Sequence, residues 1–175
     1  MISVREESGA DVPAVRQLNE LAFGRTEEAS LVDALRASAH PRVSLVAVEN
    51  GEVVGHIFFS PVTIQPEESI TTTATAGAAM GLAPMAVLPQ HQKRGVGSRL
   101  VRAGLRACLN LGCAVVVVLG HPEYYPRFGF VPASRLGLRS EYDVPDEVFM
   151  ATELVPGALD GVRGLVKYHP AFGRV

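Results

Sequence analysis

The six residues Gln92, Lys93, Arg94, Gly95, Val96 and Gly97 stand between an apolar, strand-like run at 82–87 and an amphipathic helical pattern that continues to about residue 111. A second apolar run at 114–119 follows. Strand, glycine loop, helix and strand in that order predict two parallel strands joined by a crossover helix. A helix start leaves main-chain N–H groups without intrahelical acceptors, and the aligned peptide dipoles concentrate roughly half a positive charge there. Glycine at 95 and 97 removes the β-carbons that would hold a bulky anion off the backbone, and it permits the dihedral angles of a tight turn. The segment reads as a cradle for phosphate.

The rest of the chain narrows what such a cradle serves. With 175 residues, 47% hydrophobic and 19% charged, the sequence is expected to form one globular domain over residues 1–175. A net charge of −2 offers no broad basic surface, so nucleic acid is disfavoured as a partner. Lys93 and Arg94 supply only a local patch, which suits a phosphorylated small molecule better. The N-terminus lacks a basic segment followed by an apolar one, and no apolar run reaches membrane length. The expected location is therefore the cytoplasm, with no membrane partner. Cys108 and Cys113 form no metal or redox spacing and read as small buried hydrophobes, and the scattered histidines do not suggest a metal site.

Periodicity predicts a first strand at 2–5, a helix from Asp11 as N-cap to about Phe23, and a second helix from Thr26 as N-cap to about Ala37. Residues 43–49 and 52–59 are rich in β-formers and joined by Asn50 and Gly51, the pair favoured in two-residue hairpins. Pro61 and Pro66 are expected to interrupt regular pairing, and residues 69–79 to form a loop. Pro84 implies an edge, a bulge or a break within its strand. Late strands are expected near 148–154 and 165–168.

Competing glycine-loop readings fit poorly. No GKS or GKT completes a nucleotide-binding P-loop, and GVGSRL lacks the third Gly or Ala of a dinucleotide fingerprint. No GxSxG elbow supports a serine nucleophile. By contrast, MAVLPQHQKRGVGSRL resembles the strand, proline and phosphate loop of the GNAT superfamily of N-acetyltransferases. AVVVVLGHPEYYPRFGF resembles the strand, aromatic helix and GF turn that follow in that family, particularly in its bacterial YhbS-like subgroup.

The resemblance implies an α/β fold, a mixed central sheet flanked by helices whose strands splay apart at an acetyl-CoA site. It implies that acetyl-CoA is the cosubstrate, with its diphosphate at Gln92, Lys93, Arg94, Gly95, Val96, Gly97 and Ser98 and its pantetheine beside Met85, Ala86 and Val87. The reaction implied is direct transfer of acetyl to an amine acceptor, on a small molecule or on a peptide or protein. Tyr125, four residues before Gly129, matches the family's general acid, with Tyr124 as fallback. Glu27, Glu28, His56, His121, Glu123 or an ordered water are candidates for the base. The alternative is a noncatalytic acyl-CoA sensor that acts by binding alone. Dimerisation is common in the family, which leaves a homodimer open, although the sequence shows no diagnostic interface stripe.

Overall fold

The computed structural model describes residues 1–67 and 78–174. In chain order it contains β1 (Ile2–Glu6), α1 (Val12–Phe23), α2 (Glu27–Ser38), β2 (Val43–Glu49), β3 (Glu52–Pro66), β4 (Ala79–Val87), α3 (Val96–Asn110) and β5 (Val115–Leu119). β6 (Val131–Pro132), β7 (Leu138–Ser140), β8 (Phe149–Glu153) and β9 (Gly164–Lys167) complete a mixed sheet. Most of the predicted loop at 69–79 lies outside the described residues. Contacts divide the chain into two compact units, the first made of Met1–Ser60, Ala83–Ala107 and Pro170–Val175, the second of Pro61–Leu82 and Cys108–His169.

In the first unit β1 and β3 flank β2, both antiparallel to it, and β3 is followed by β4. The turn between β2 and β3 has positive φ at Asn50 (51°) and Gly51 (76°), the signs a type I′ hairpin requires. One sheet face carries Val46 and Phe58 against Val15 of α1 and Leu31, Val32 and Leu35 of α2. β3 also packs on α3, where a Cβ on Gly104 would overlap the Phe59 ring and one on Gly55 would stand 2.9 Å from Leu100 and Val96 side-chain carbons. Absence of side chains at these two positions sets how closely helix and strand approach. Arg99, Arg102 and Arg106 remain exposed on the other side of α3.

Asp11 and Thr26 precede their helices as predicted, but neither side chain caps the helix. The Asp11 carboxylate instead accepts two bonds from Arg5, at 2.7 and 2.9 Å, and others from the Ser8 main chain and hydroxyl. A guanidinium outcompetes a neutral N–H for a carboxylate.

The second unit is built on β5, which pairs parallel with β4 from Ala79↔Val115 to Leu82↔Val118 and antiparallel with β8. β8 in turn pairs with β6. Val115, Val117, Ala151, Leu138 and Val166 centre its core. The parallel order of β4 and β5 is the one expected for a crossover helix. The expected interruption of pairing falls at Pro61 but not at Pro66: β3 runs on as one strand to Pro66, which is paired with Gly164. Its ladder with β2 ends at Phe59, and residues 63–66 pair with β9. Pro61 falls between the two ladders, where its missing N–H leaves neither incomplete.

After α3 the N–H of Gly112 (φ 87°) bonds Leu109 O and that of Cys113 bonds Cys108 O, each at 3.0 Å. This Schellman pattern brings the side chains of the two cysteines together. Both are buried, as expected, at 0% and 2% exposure. Among the described residues no helix is long and apolar enough to cross a membrane.

Candidate active site

β4 outlasts its partner. The β4–β5 ladder stops at Leu82↔Val118, whereas β4 continues to Val87, and among the described residues no strand pairs with that edge of 83–87. Pro84, one residue into this stretch, has no N–H to offer a ladder, which accounts for the break its sequence position implied. Along the free stretch Pro84 and Ala86 are buried while Met85 and Val87 are half-buried. Their alternation leaves main-chain N–H and C=O groups in a row, the arrangement that an extended, amide-bearing ligand can extend as a further strand.

The chain then turns through residues 89–91 into the glycine loop. Positive φ occurs at Lys93 (62°) as well as Gly95 (83°). Left-handed residues in a tight loop turn successive N–H groups toward one side and form an anion-binding concavity. The first-turn N–H groups of α3 add donors that the helix cannot use itself. Gln92 has a different part: its side chain donates to Val87 O at 3.1 Å and its main-chain N–H to Pro89 O at 3.4 Å, so it ties the loop to the end of β4. Arg94 reaches Glu49 at 3.3 Å and stays half exposed. Val96 is buried, and Gly97 and Ser98 are partly exposed in the first turn of α3.

In the second unit, residues 125–128 form a short 3₁₀ turn closed by Gly129 at φ 93°. Tyr125 is 7% exposed, with its ring edge-on to Phe130 at 5.7 Å between centroids. A Cβ on Gly120 would overlap that ring. Burial, assisted by neighbouring Tyr124, pushes the Tyr125 phenol up to about 12, so it is a protonated donor throughout the physiological range. Tyr124 is half-buried and carries the Arg127 guanidinium 4.6 Å from its ring centroid. His121, Pro122, Glu123, Tyr124 and Arg127 line a cleft of about 520 Å³.

The other base candidates fare unequally. Glu27 is exposed, while Glu28 is buried and clamped by Arg25. His56 has no exposure at all, so it cannot meet an amine from solvent. It belongs to a buried set that the sequence did not reveal. Ser44 Oγ donates to Glu7, lies 2.8 Å from His56 Nε2, and Glu7 accepts from Arg36 at 2.6 and 3.0 Å. The residue types are those of a nucleophilic triad, but the hydroxyl sits between imidazole and carboxylate and gives its proton to Glu7, which leaves no activated nucleophile. Burial opposes charge on Glu7, yet hydrogen bonds from His56, Ser44 and Arg36 prevail and hold it at about 2. Burial lowers His56 and keeps it neutral.

A strand edge running into a glycine loop at a helix start is the arrangement of a protein that takes an extended carrier ending in phosphate groups. Residues 12–130 match the model of the acetyltransferase (GNAT) family, and the chain belongs to that family. It is 36% identical, over 98% of both chains, to an Escherichia coli K12 protein named uncharacterized N-acetyltransferase YhbS. The crystal structure of Escherichia coli YhbS in complex with CoA superposes with a TM-score of 0.87 at 35% identity, covering 99% of this chain and 92% of that one. A Brucella melitensis GNAT family acetyltransferase in complex with acetyl-CoA gives 0.77 at 36% identity over 98% of each chain. The expected fold and the YhbS-like resemblance are both borne out, and the chain is an N-acetyltransferase by family.

Proposed function

We propose that this protein binds acetyl-CoA and transfers its acetyl group directly to an amine, with residues 1–175 acting as one acetyltransferase domain. The observation that carries the reading is the edge of residues 83–87 that β5 leaves unpaired, leading into the glycine loop, with main-chain groups suited first to pantetheine amides and then to a diphosphate. The CoA and acetyl-CoA complexes of the two relatives support the same carrier. In this reading Met85, Ala86 and Val87 flank pantetheine. Lys93, Arg94, Gly95, Val96, Gly97 and Ser98 meet the phosphates, with Gln92 bracing the loop.

The neutral amine attacks the thioester carbonyl, and a main-chain N–H near Ala86 or Val87 stabilises the oxyanion. Loss of such a donor costs about 3 kcal/mol. Collapse of the tetrahedral intermediate breaks the C–S bond, and Tyr125 hydrogen-bonds or protonates the departing thiolate. Full transfer from a phenol at about 12 to a thiolate of ordinary pKa near 8.5 is uphill by roughly 5 kcal/mol, which fits within an enzymatic barrier. Of the base candidates, His121 and Glu123 are exposed beside the Tyr124 cleft, and Glu27 is exposed at the start of α2.

The acceptor is an amine of unassigned identity, the site of action is the cytoplasm, and a homodimer is compatible with the family. An amine panel assayed by thiol release from acetyl-CoA tests donor and acceptor together. Turnover with at least one amine is expected; tight CoA binding without consumption across the panel favours the sensor reading instead.

A further inference from the structure

Arg94 does not project freely from the phosphate loop. Its Nη2 lies 3.3 Å from Glu49 Oε1, and the other carboxylate oxygen of Glu49 lies 3.3 Å from His91 Nε2. Glu49 is the last residue of β2, 45 residues from Arg94, and its side chain is 15% exposed against 51% for Arg94. The His91 Nδ1 is buried with no hydrogen-bond partner among the described residues, so Glu49 is the polar group that the ring meets. The carboxylate is thus held from one side by an imidazole and holds a guanidinium on the other.

A guanidinium carries five N–H donors in a rigid fork, and the contact to Glu49 engages only Nη2. The remaining donors stay available to an oxyanion, and the cost of ordering a long side chain is met before a ligand arrives. We propose that Glu49, steadied by His91, is a positioning residue that aims Arg94 at the diphosphate of the bound carrier. It thereby sets the preference for CoA over its phosphate-free fragment. The assignment rests on the CoA reading above and deepens it.

The test titrates CoA and pantetheine into the unaltered protein, Glu49→Gln, Arg94→Gln and the double variant by calorimetry. Each single change is expected to weaken CoA about fivefold, with the double variant within about twofold of Arg94→Gln alone, because both remove one coupled interaction. Pantetheine affinity is expected to stay level throughout. His91→Phe should weaken CoA in the same direction as Glu49→Gln.

CoA affinity unchanged or tighter in Glu49→Gln overturns the assignment, as do losses that multiply in the double variant. Equal weakening of pantetheine overturns it too, since that marks a displaced loop rather than a lost phosphate contact. If the unaltered protein binds pantetheine and CoA equally or neither, the CoA reading itself fails. Normal CoA binding with an unresponsive Glu49 sinks only the positioning role.

Discussion

Tyr125 is a residue whose packing is visible in the structure and whose chemical part is the proposal made above. Its ring fills the space left by Gly120 and leans on Phe130, so removing the hydroxyl alone should leave the turn intact. Tyr125→Phe is therefore expected to bind CoA with unchanged affinity in calorimetry while turnover with an identified amine falls by about 10²-fold or more, the scale of a lost general acid. Unchanged turnover would remove Tyr125 from the mechanism. The sequence singled out this tyrosine only through the resemblance of its segment, four residues before Gly129, to the family's aromatic helix and GF turn. It gave no hint of Glu7 with Ser44 and His56, or of Glu49 with His91 and Arg94, because those partners lie up to 45 residues apart and meet only in the folded chain. Lys93 is a related case, since nothing in a lysine announces the left-handed backbone it adopts.

Among the elements, the helices and strands with strong periodicity were readable nearly to their ends. α3 and the β2–β3 hairpin are examples, because each is dictated by neighbours close in sequence. β3 beyond Ser60 was not. A proline normally interrupts pairing, and only knowledge that β3 changes partner between Phe59 and Thr63 explains how Pro61 is accommodated. The intended cap Asp11 failed for a similar reason, with Arg5 claiming it from another element, while Thr26 simply makes no side-chain cap bond. The seating of α3 on β3 gives a direct check. Gly104→Ala should destabilise the protein by about 1–3 kcal/mol in urea unfolding, because its methyl group would meet the Phe59 ring. Phe59→Leu combined with it should recover part of that loss, since a smaller side chain relieves the overlap, and strictly additive losses would show that the approach of helix to strand is not set there.

For the molecule as a whole, two conditions should move stability predictably. CoA at about 100 times its Kd should add roughly 2.7 kcal/mol and raise Tm by about 5–10 °C, as read by thermal melting; no rise at that excess would contradict carrier binding. Acid should act in two stages. His56 is lowered on folding, so its contribution is complete above its unfolded value near 6.5 and declines as pH falls below it. Glu7, held at about 2 from an ordinary 4.5, contributes above 4.5 and loses that contribution between 4.5 and about 2. Urea midpoints measured from pH 8 to 3 should fall in that order, and Glu7→Gln should flatten the lower stage. The half-strand that follows Leu82 has a last consequence. An open backbone row is also an invitation to strands of other molecules, and the proline within it withholds one donor from such strangers. A carrier laid along that row would close it to such neighbours, so occupancy of the site should also slow association between molecules.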